Sequence, residues 1–255
     1  MTDDERESGV SLTSEQIKAW RHSQRSELIA RRAAIGQMQR AAWNARITAS
    51  LIAGFPHPAQ AVVGFCWPYR GEFDARIAMR GWRSAGALAA LPEVVQNRAP
   101  LQFRLWQPGV AMRAGVYDIP VPVDTQIVIP DAAIVPMNGF DARGYRLGYG
   151  GGFFDRTLAA CERRMIAIGV AYEVLRLETI HPQPHDIPMD FVVTEQAIYT
   201  ACGAQLEAID QAECAMRYAR LLAARRLPRA VFNTTLSSPV CYADQSPNDE
   251  GRDPR

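Results

Sequence analysis

The stretch Gly144-Tyr145-Arg146-Leu147-Gly148-Tyr149-Gly150-Gly151-Gly152-Phe153-Phe154-Asp155-Arg156 sets four glycines in five positions beside two arginines and one carboxylate. Glycine admits positive φ and lets backbone amides approach a ligand with no Cβ in the way. A run of such amides feeding a helix N-terminus suits an anion, because unpaired N–H groups and the helix dipole both favour negative charge. Arg146 and Arg156 add fixed positive charge, and Asp155 offers a carboxylate of the kind a divalent cation takes. The chemistry indicated is a nucleotide-phosphate loop with a metal ligand at its edge. A short glycine pattern is equally compatible with a connection that merely turns the chain.

Such a loop needs a strand before it and a helix after it. Ala132-Ala133-Ile134-Val135-Pro136 reads as the strand, and the pattern through Thr157-Leu158-Ala159-Ala160 as the helix. Near the start, Thr13 and Gln16 spell a capping box for a helix running to about Ala34. Arg21 and Arg25 share one face of it, a like-charge spacing that costs an isolated helix about 0.2–0.5 kcal/mol. Spacing alone leaves them as a solvated pair or as anion ligands. A second helix is expected from Gln37 to Ile52, and Ala61 to Trp67 reads as a buried strand. Glu72 falls just past the carboxyl end of that strand, the edge where open α/β sheets collect ligands. An acid opening a helix also simply complements the dipole. One helical stretch is expected from Glu72 through Ala90, then one or two short strands between Val94 and Trp106. Met165 to Tyr172 reads as a second buried strand and Phe191 to Glu195 as a third. Gln205 to Leu227 reads as one amphipathic helix, with Leu206, Ile209, Met216 and Leu221 on its apolar face. Arg217, Arg220, Arg225, Arg226 and Arg229 make its end basic.

Strands separated by helices predict an α/β fold with a three-layer, mostly parallel sheet flanked by helices. The expected organisation is a mobile leader over 1–12, a catalytic domain over 13–200, a C-terminal helix over 201–227 and a disordered tail over 228–255. With 28 basic and 27 acidic residues the formal charge is +1, which gives no general case for nucleic acid or a membrane surface. An apolar content of 48% suffices for a core. The acidic start is unlike a secretory signal, and the expected location is cytoplasmic. Five scattered cysteines, Cys66, Cys161, Cys202, Cys214 and Cys241, fit neither a disulfide framework nor a zinc motif.

The full glycine string closely resembles the signature of the 5-formyltetrahydrofolate cyclo-ligase family, also called methenyltetrahydrofolate synthetases. It lacks the Gly-Lys-(Ser/Thr) end of a P-loop. Phe153 and Phe154 stand where the family usually carries two tyrosines, which keeps the rings and loses the hydroxyls. The resemblance covers roughly Ala19 to Glu195 and is weakest from Val94 to Val123. It implies the superfold shared with sugar-phosphate isomerases and CoA transferases. It also implies an ATP-driven cyclisation of 5-formyltetrahydrofolate to 5,10-methenyltetrahydrofolate, releasing ADP and phosphate, with Mg2+ as cofactor and ATP as co-substrate. Carried onto this sequence, it assigns ATP to Arg21, Arg25, Arg146, Leu147, Gly148, Tyr149, Gly150, Gly151, Gly152, Phe153 and Phe154. It assigns the folate to Trp67, Glu72, Tyr149, Gly151 and Phe153, the catalytic roles to Arg146 and Asp155, and the metal to Asp155 and Asp186. Arg21 presents a planar fork where the family often has lysine. His185, beside Asp186, reads more simply as a packing or capping residue than as an acid–base group. The expected partners are small molecules, with neither membrane nor nucleic acid, and the expected state is a monomer. Two other readings stay open: an ATP-dependent enzyme on the same scaffold with another substrate, and a non-catalytic nucleotide- or RNA-binding relative using the basic C-terminal helix.

Overall fold

The computed structural model describes residues 12–161, 165–202 and 205–225. The leader up to residue 11, the tail over 228–255, and Arg226, Arg229 and Cys241 lie outside the described residues. The capping box forms as spelled: Gln16 N–H donates to Thr13 Oγ1 and Thr13 N–H to Gln16 Oε1, opening α1 (Ser14–Ala33). There follow α2 (Gln37–Gly54), β1 (Val62–Gly64), α3 (Arg76–Ser84), β2 (Leu88–Glu93) and β3 (Gln102–Trp106). A small hairpin of β4 (Met112–Ala114) and β5 (Pro120–Pro122) precedes β6 (Ile127–Val128), β7 (Ala132–Pro136) and a second hairpin, β8 (Gly139–Phe140) with β9 (Arg146–Leu147). The chain continues through α4 (Phe153–Ala160), β10 (Ile166–Val170), β11 (Phe191–Val193), β12 (Ile198–Cys202), β13 (Gln205–Ile209) and α5 (Gln211–Arg225).

Nine strands form one sheet in the order β13-β12-β11-β10-β7-β1-β2-β3-β6. The central five are parallel, and the two at each edge run antiparallel. Alternate residues serve opposite faces, as the period of two requires. Val63, Ile134, Ile168 and Phe191 face a core shared with Leu28, Leu51, Met79 and Tyr218 from the helices. Val62, Val135, Ala167 and Val192 face a second core that includes Leu158 of α4. This is the predicted three-layer α/β fold. Chain order reverses between β1 and β7, so the crevice outside their carboxyl ends is the topological switch point, where such folds bind ligands.

Two expectations are corrected. The helix expected from Glu72 to Ala90 is only α3, because Gly86 at φ 95° ends it and Leu88–Glu93 joins the sheet beside β1. Its Ala-Leu run favours helix locally. Burying Leu91 to 1% exposure in the sheet contributes about 1.5–3 kcal/mol, more than the ~1 kcal/mol span of strand propensity. The expected C-terminal helix likewise loses its first turn to β13, which pairs with β12 across the assumed boundary at residue 200. Helix α5 instead starts at Gln211, where Asp210 accepts the Glu213 N–H at 2.8 Å. It is no appendage: both Nη atoms of Arg225 bind Asp190, at 2.9 and 2.7 Å, and Tyr218 meets His57 Nδ1 at 2.6 Å. No helix among the described residues is long and apolar enough to cross a membrane.

Candidate active site

Beyond β9 the glycine loop runs over the switch-point crevice and enters α4. Gly150 at φ 95° and Gly152 at φ 63° hold left-handed conformations that only glycine takes cheaply, and Gly152 is the N-cap of α4. Three of the loop's carbonyls are held. Arg25 Nε donates to Gly148 O at 2.8 Å, Arg156 Nη1 to Gly151 O at 2.6 Å, and Arg156 N–H to Gly152 O at 3.1 Å. Its donors are not. Among the described residues, no backbone N–H from Gly148 to Asp155 finds an acceptor. Unbonded amides at a helix N-terminus are the arrangement that binds phosphate oxygens.

The charged residues expected around this surface are present but paired with each other. Arg146, placed by the β8–β9 pairing of Phe140 with Arg146, reaches Asp155 with both Nη atoms at 2.9 Å. Asp155 Oδ1 also accepts the Ile187 N–H at 3.2 Å, which brings it to the segment carrying Asp186. Arg21 binds Ile180 O and His181 O at 2.9 Å and directs its fork onto Asp186. Burial alone would raise the Asp186 carboxyl, but the Arg21 bonds and the Gln183 N–H hold it below the usual carboxylate range. Burial and the nearby Arg21 charge lower the Arg25 pKa, with Asp186 opposing them. His185 is largely exposed, 3.9 Å from Asp186. The sequence assigned the arginines to phosphate and the aspartates to metal as separate sets; the structure joins them as two ion pairs.

On the other side of the loop lies a narrow cleft lined by Cys66, Glu72, Phe73, Met137 and Tyr172. Glu72 is buried, its Oε2 accepting the Tyr69 N–H at 3.0 Å and its Oε1 the Tyr149 hydroxyl at 2.8 Å. Burial raises its carboxyl, opposed by Arg32 and by the bonds from Tyr149 and Tyr69. Burial also pushes up the Cys66 thiol, with Glu72 adding to the effect, so no activated nucleophile stands here. Trp67 flanks this cleft rather than lining it, edge-on to Trp106 at 6.2 Å with Arg76 over its ring at 4.7 Å. Phe154 lies under Arg146 at 5.6 Å, and Phe153 folds against Gly151. The sequence reading passed over Arg32 and Asn138, both 1% exposed. Arg32 had a signal: Arg21, Arg25, Leu28 and Arg32 fall on one stripe of α1.

No group of three or more His, Cys, Asp or Glu among the described residues forms a ready metal cage. The donor set still fits magnesium, which takes one or two carboxylates and completes its shell with water and substrate phosphates. Asp155 and Asp186 supply hard oxygens beside the free amides.

Comparison with known proteins agrees with this arrangement. The chain is 34% identical over 95 residues to the 5-formyltetrahydrofolate cyclo-ligase of Haemophilus influenzae, covering 35% of this chain and 51% of that one. It is 37% identical over 119 residues to the protein of the same name from Mycolicibacterium smegmatis, covering 43% of this chain and 60% of that one. These matches therefore span less than two thirds of either relative. The Escherichia coli K12 protein matches at 30% identity over 138 residues, 51% of this chain and 76% of its own. Among solved structures, the NMR structure of Aquifex aeolicus 5,10-methenyltetrahydrofolate synthetase superposes with a TM-score of 0.59 at 26% identity, over 70% of this chain and 91% of that one. A family profile described as the 5-formyltetrahydrofolate cyclo-ligase family matches residues 17–195, from the arginine-bearing face of α1 through the glycine loop to Glu195. With that span holding every element of the crevice, the chain belongs to the 5-formyltetrahydrofolate cyclo-ligase family.

Proposed function

We propose that this protein converts 5-formyltetrahydrofolate to 5,10-methenyltetrahydrofolate, with ATP converted to ADP and phosphate. The observation that carries the reading is the row of unbonded amides from Gly148 to Asp155 over the switch-point crevice, flanked by Arg21, Arg25 and Arg146. A formamide carbon is a poor electrophile and its oxygen a poor leaving group. Transfer of the γ-phosphoryl group to that oxygen breaks the bond to ADP and leaves an iminium phosphate. Attack by N10 then closes the ring, and the C–O bond breaks as phosphate departs. Phosphoryl transfer asks a protein mainly for alignment and charge neutralisation. The loop amides and the arginines serve that end, and Glu72 offers a carboxylate to paired N–H groups of the pterin. Phe153 packs its ring on Gly151 of the loop and Phe154 lies beneath Arg146, rings in place of hydroxyls. Asp155 and Asp186 would hold magnesium, which when bound neutralises phosphate charge. Arg146 and Arg21, which pair with these carboxylates in the free protein, would stand beside the ion and supply positive charge to the phosphate oxygens. No side-chain nucleophile is needed.

Absorbance-monitored formation of the methenyl product, with ATP and magnesium, tests the reading. Turnover that stops when either is omitted is the expected result. ATP binding without any turnover of the folate would replace it with another substrate on the same scaffold.

A further inference from the structure

Arg32 heads the fully buried side chains by size, and the phosphate chemistry above does not use it. Burying a guanidinium is costly unless every donor is paired, and a packed apolar residue is often as stable in its place. Here three of its five N–H donors reach three other segments. Nε donates to Arg70 O at 3.1 Å, Nη1 to Asn138 Oδ1 at 2.9 Å and Nη2 to the Tyr149 hydroxyl at 2.9 Å. The Tyr149 hydroxyl in turn donates to Glu72 Oε1 at 2.8 Å. Helix α1, the loop after β1, the turn after β7 and the glycine loop thus meet at one cation.

We propose that Arg32 is a positioning residue. Through Tyr149 it locks the glycine loop to Glu72, so that the phosphate-binding amides and the pterin-binding carboxylate are held in one register. This rests on the function proposed above. An ionised carboxylate has about four acceptor sites. Tyr149 and Tyr69 take one on each oxygen, which leaves one per oxygen for a paired N–H edge. The lock therefore orients Glu72 without filling it. The charged and titratable groups facing Glu72 are Arg32 from α1, Tyr149 from the glycine loop, Cys66 just past β1 and, in the same cleft, Tyr172 after β10; the Arg146 charge reaches Cys66 from β9. Removing Arg32 takes away the charge that opposes burial. The carboxyl then moves up, and ionised Glu72 is reached only at higher pH.

Arg32→Met, Tyr149→Phe and the double variant test this, with Glu72→Gln as the control. Tyr149→Phe removes both hydroxyl bonds with almost no change of volume and keeps the test open if Arg32→Met does not fold. In the free protein, backbone order parameters of Tyr149 to Gly152 should fall from the rigid range of about 0.85, while those of β7 and β10 hold. In turnover, KM for the folate should rise about tenfold, the worth of one part-buried charge-assisted hydrogen bond, and KM for ATP should rise with it because the loosened loop carries the phosphate-binding amides. The acid limb of kcat/KM for the folate should move to higher pH in both single variants and be absent in Glu72→Gln. The double variant should add little to either single one, because the two residues form one chain. Unchanged loop order in Tyr149→Phe overturns the lock, whatever the enzyme turns over. A loosened loop with unchanged folate KM and pH profile overturns the positioning role. A wild-type protein with no folate turnover removes the proposed reaction, while the order parameters still decide whether the lock exists.

Discussion

Replacing Asp155 by asparagine separates the two jobs assigned to that carboxylate. In the free protein it accepts two bonds from Arg146, each 2.9 Å, and one from Ile187 N–H at 3.2 Å. Asparagine keeps one carbonyl acceptor and turns its NH2 toward a guanidinium that cannot accept. At least one charge-assisted bond, about 1.5–3 kcal/mol, is lost. Arg146, with its side chain 5% exposed, stays charged without a counterion. Breaking a buried pair by removing one partner costs about 3–5 kcal/mol, and the remaining acceptor offsets part of that. The expected destabilisation is about 3 kcal/mol, or a Tm lower by roughly 6–12 °C for a chain of this size. Ligand binding should respond differently. The variant gains one unit of positive charge beside the loop amides, so metal-free ATP should bind within about threefold of wild type or more tightly. Magnesium-dependent turnover should fall at least about 100-fold, the scale of losing one electrostatic contact to the transition state. Thermal melts, calorimetric titration with ATP in a chelator, and the absorbance assay read the three quantities. Turnover within about threefold of wild type, alongside the lowered Tm, would reduce Asp155 to a structural partner of Arg146 and refute the metal role.

Two further outcomes follow from the packing of α5. Burial lowers the His57 pKa to about 3, so the folded protein keeps this imidazole neutral while the unfolded chain protonates near 6.5. Its folded value being depressed, the stability it contributes is full above about pH 6.5 and is lost as pH falls toward 3. Tm should fall as pH is lowered from about 6.5 toward 3 in wild type and fall less steeply in His57→Phe; equal slopes would remove His57 as the cause. Arg225→Met breaks the bidentate bond to Asp190, whose side chain is 12% exposed, and should cost about 2–3 kcal/mol. Because α5 touches none of the assigned phosphate or folate residues, KM for ATP and for the folate should stay within about twofold; a larger change in either refutes that separation.

The parts of the site that were legible in the sequence are those whose chemistry is local. The glycine loop announces itself through residues that only a positive φ or a close approach requires, and the capping box of α1 through a three-residue spacing. Glu72 was legible by position, one short turn past an apolar strand. What was not legible is the pairing. Nothing in the spacing of Arg146 and Asp155, or of Arg21 and Asp186, says that they meet. The first pair closes across a loop and the second across 165 residues. Arg32 was missed although it continues the stripe of Arg21 and Arg25, because the partners that bury it, Arg70, Asn138 and Tyr149, lie 38, 106 and 117 residues away in the chain. Leu88–Glu93 and Gln205–Ile209 were misread for a related reason: a mostly apolar run of six residues and a mixed stretch of five, Gln-Leu-Glu-Ala-Ile, carry no period long enough to choose between helix and strand, and sheet neighbours made the choice. The signal at Asp210-Gln211-Ala212-Glu213, an acidic cap three residues before a glutamate, was available and marks the true start of α5.

The stripe Arg21, Arg25, Leu28 and Arg32 gives α1 a property unlike that of an ordinary covering helix. At 1.5 Å per residue, its first and last arginines stand about 16 Å apart along the axis, one bound to Asp186 and the other lining the cleft that holds Glu72. The helix is in effect a ruler with its marks in fixed phase. Substitutions between the marks are tolerable, but inserting or deleting one residue rotates everything beyond it by about 100°. Length polymorphism within α1 should therefore be confined to its ends, where a change of reach leaves the marks in step.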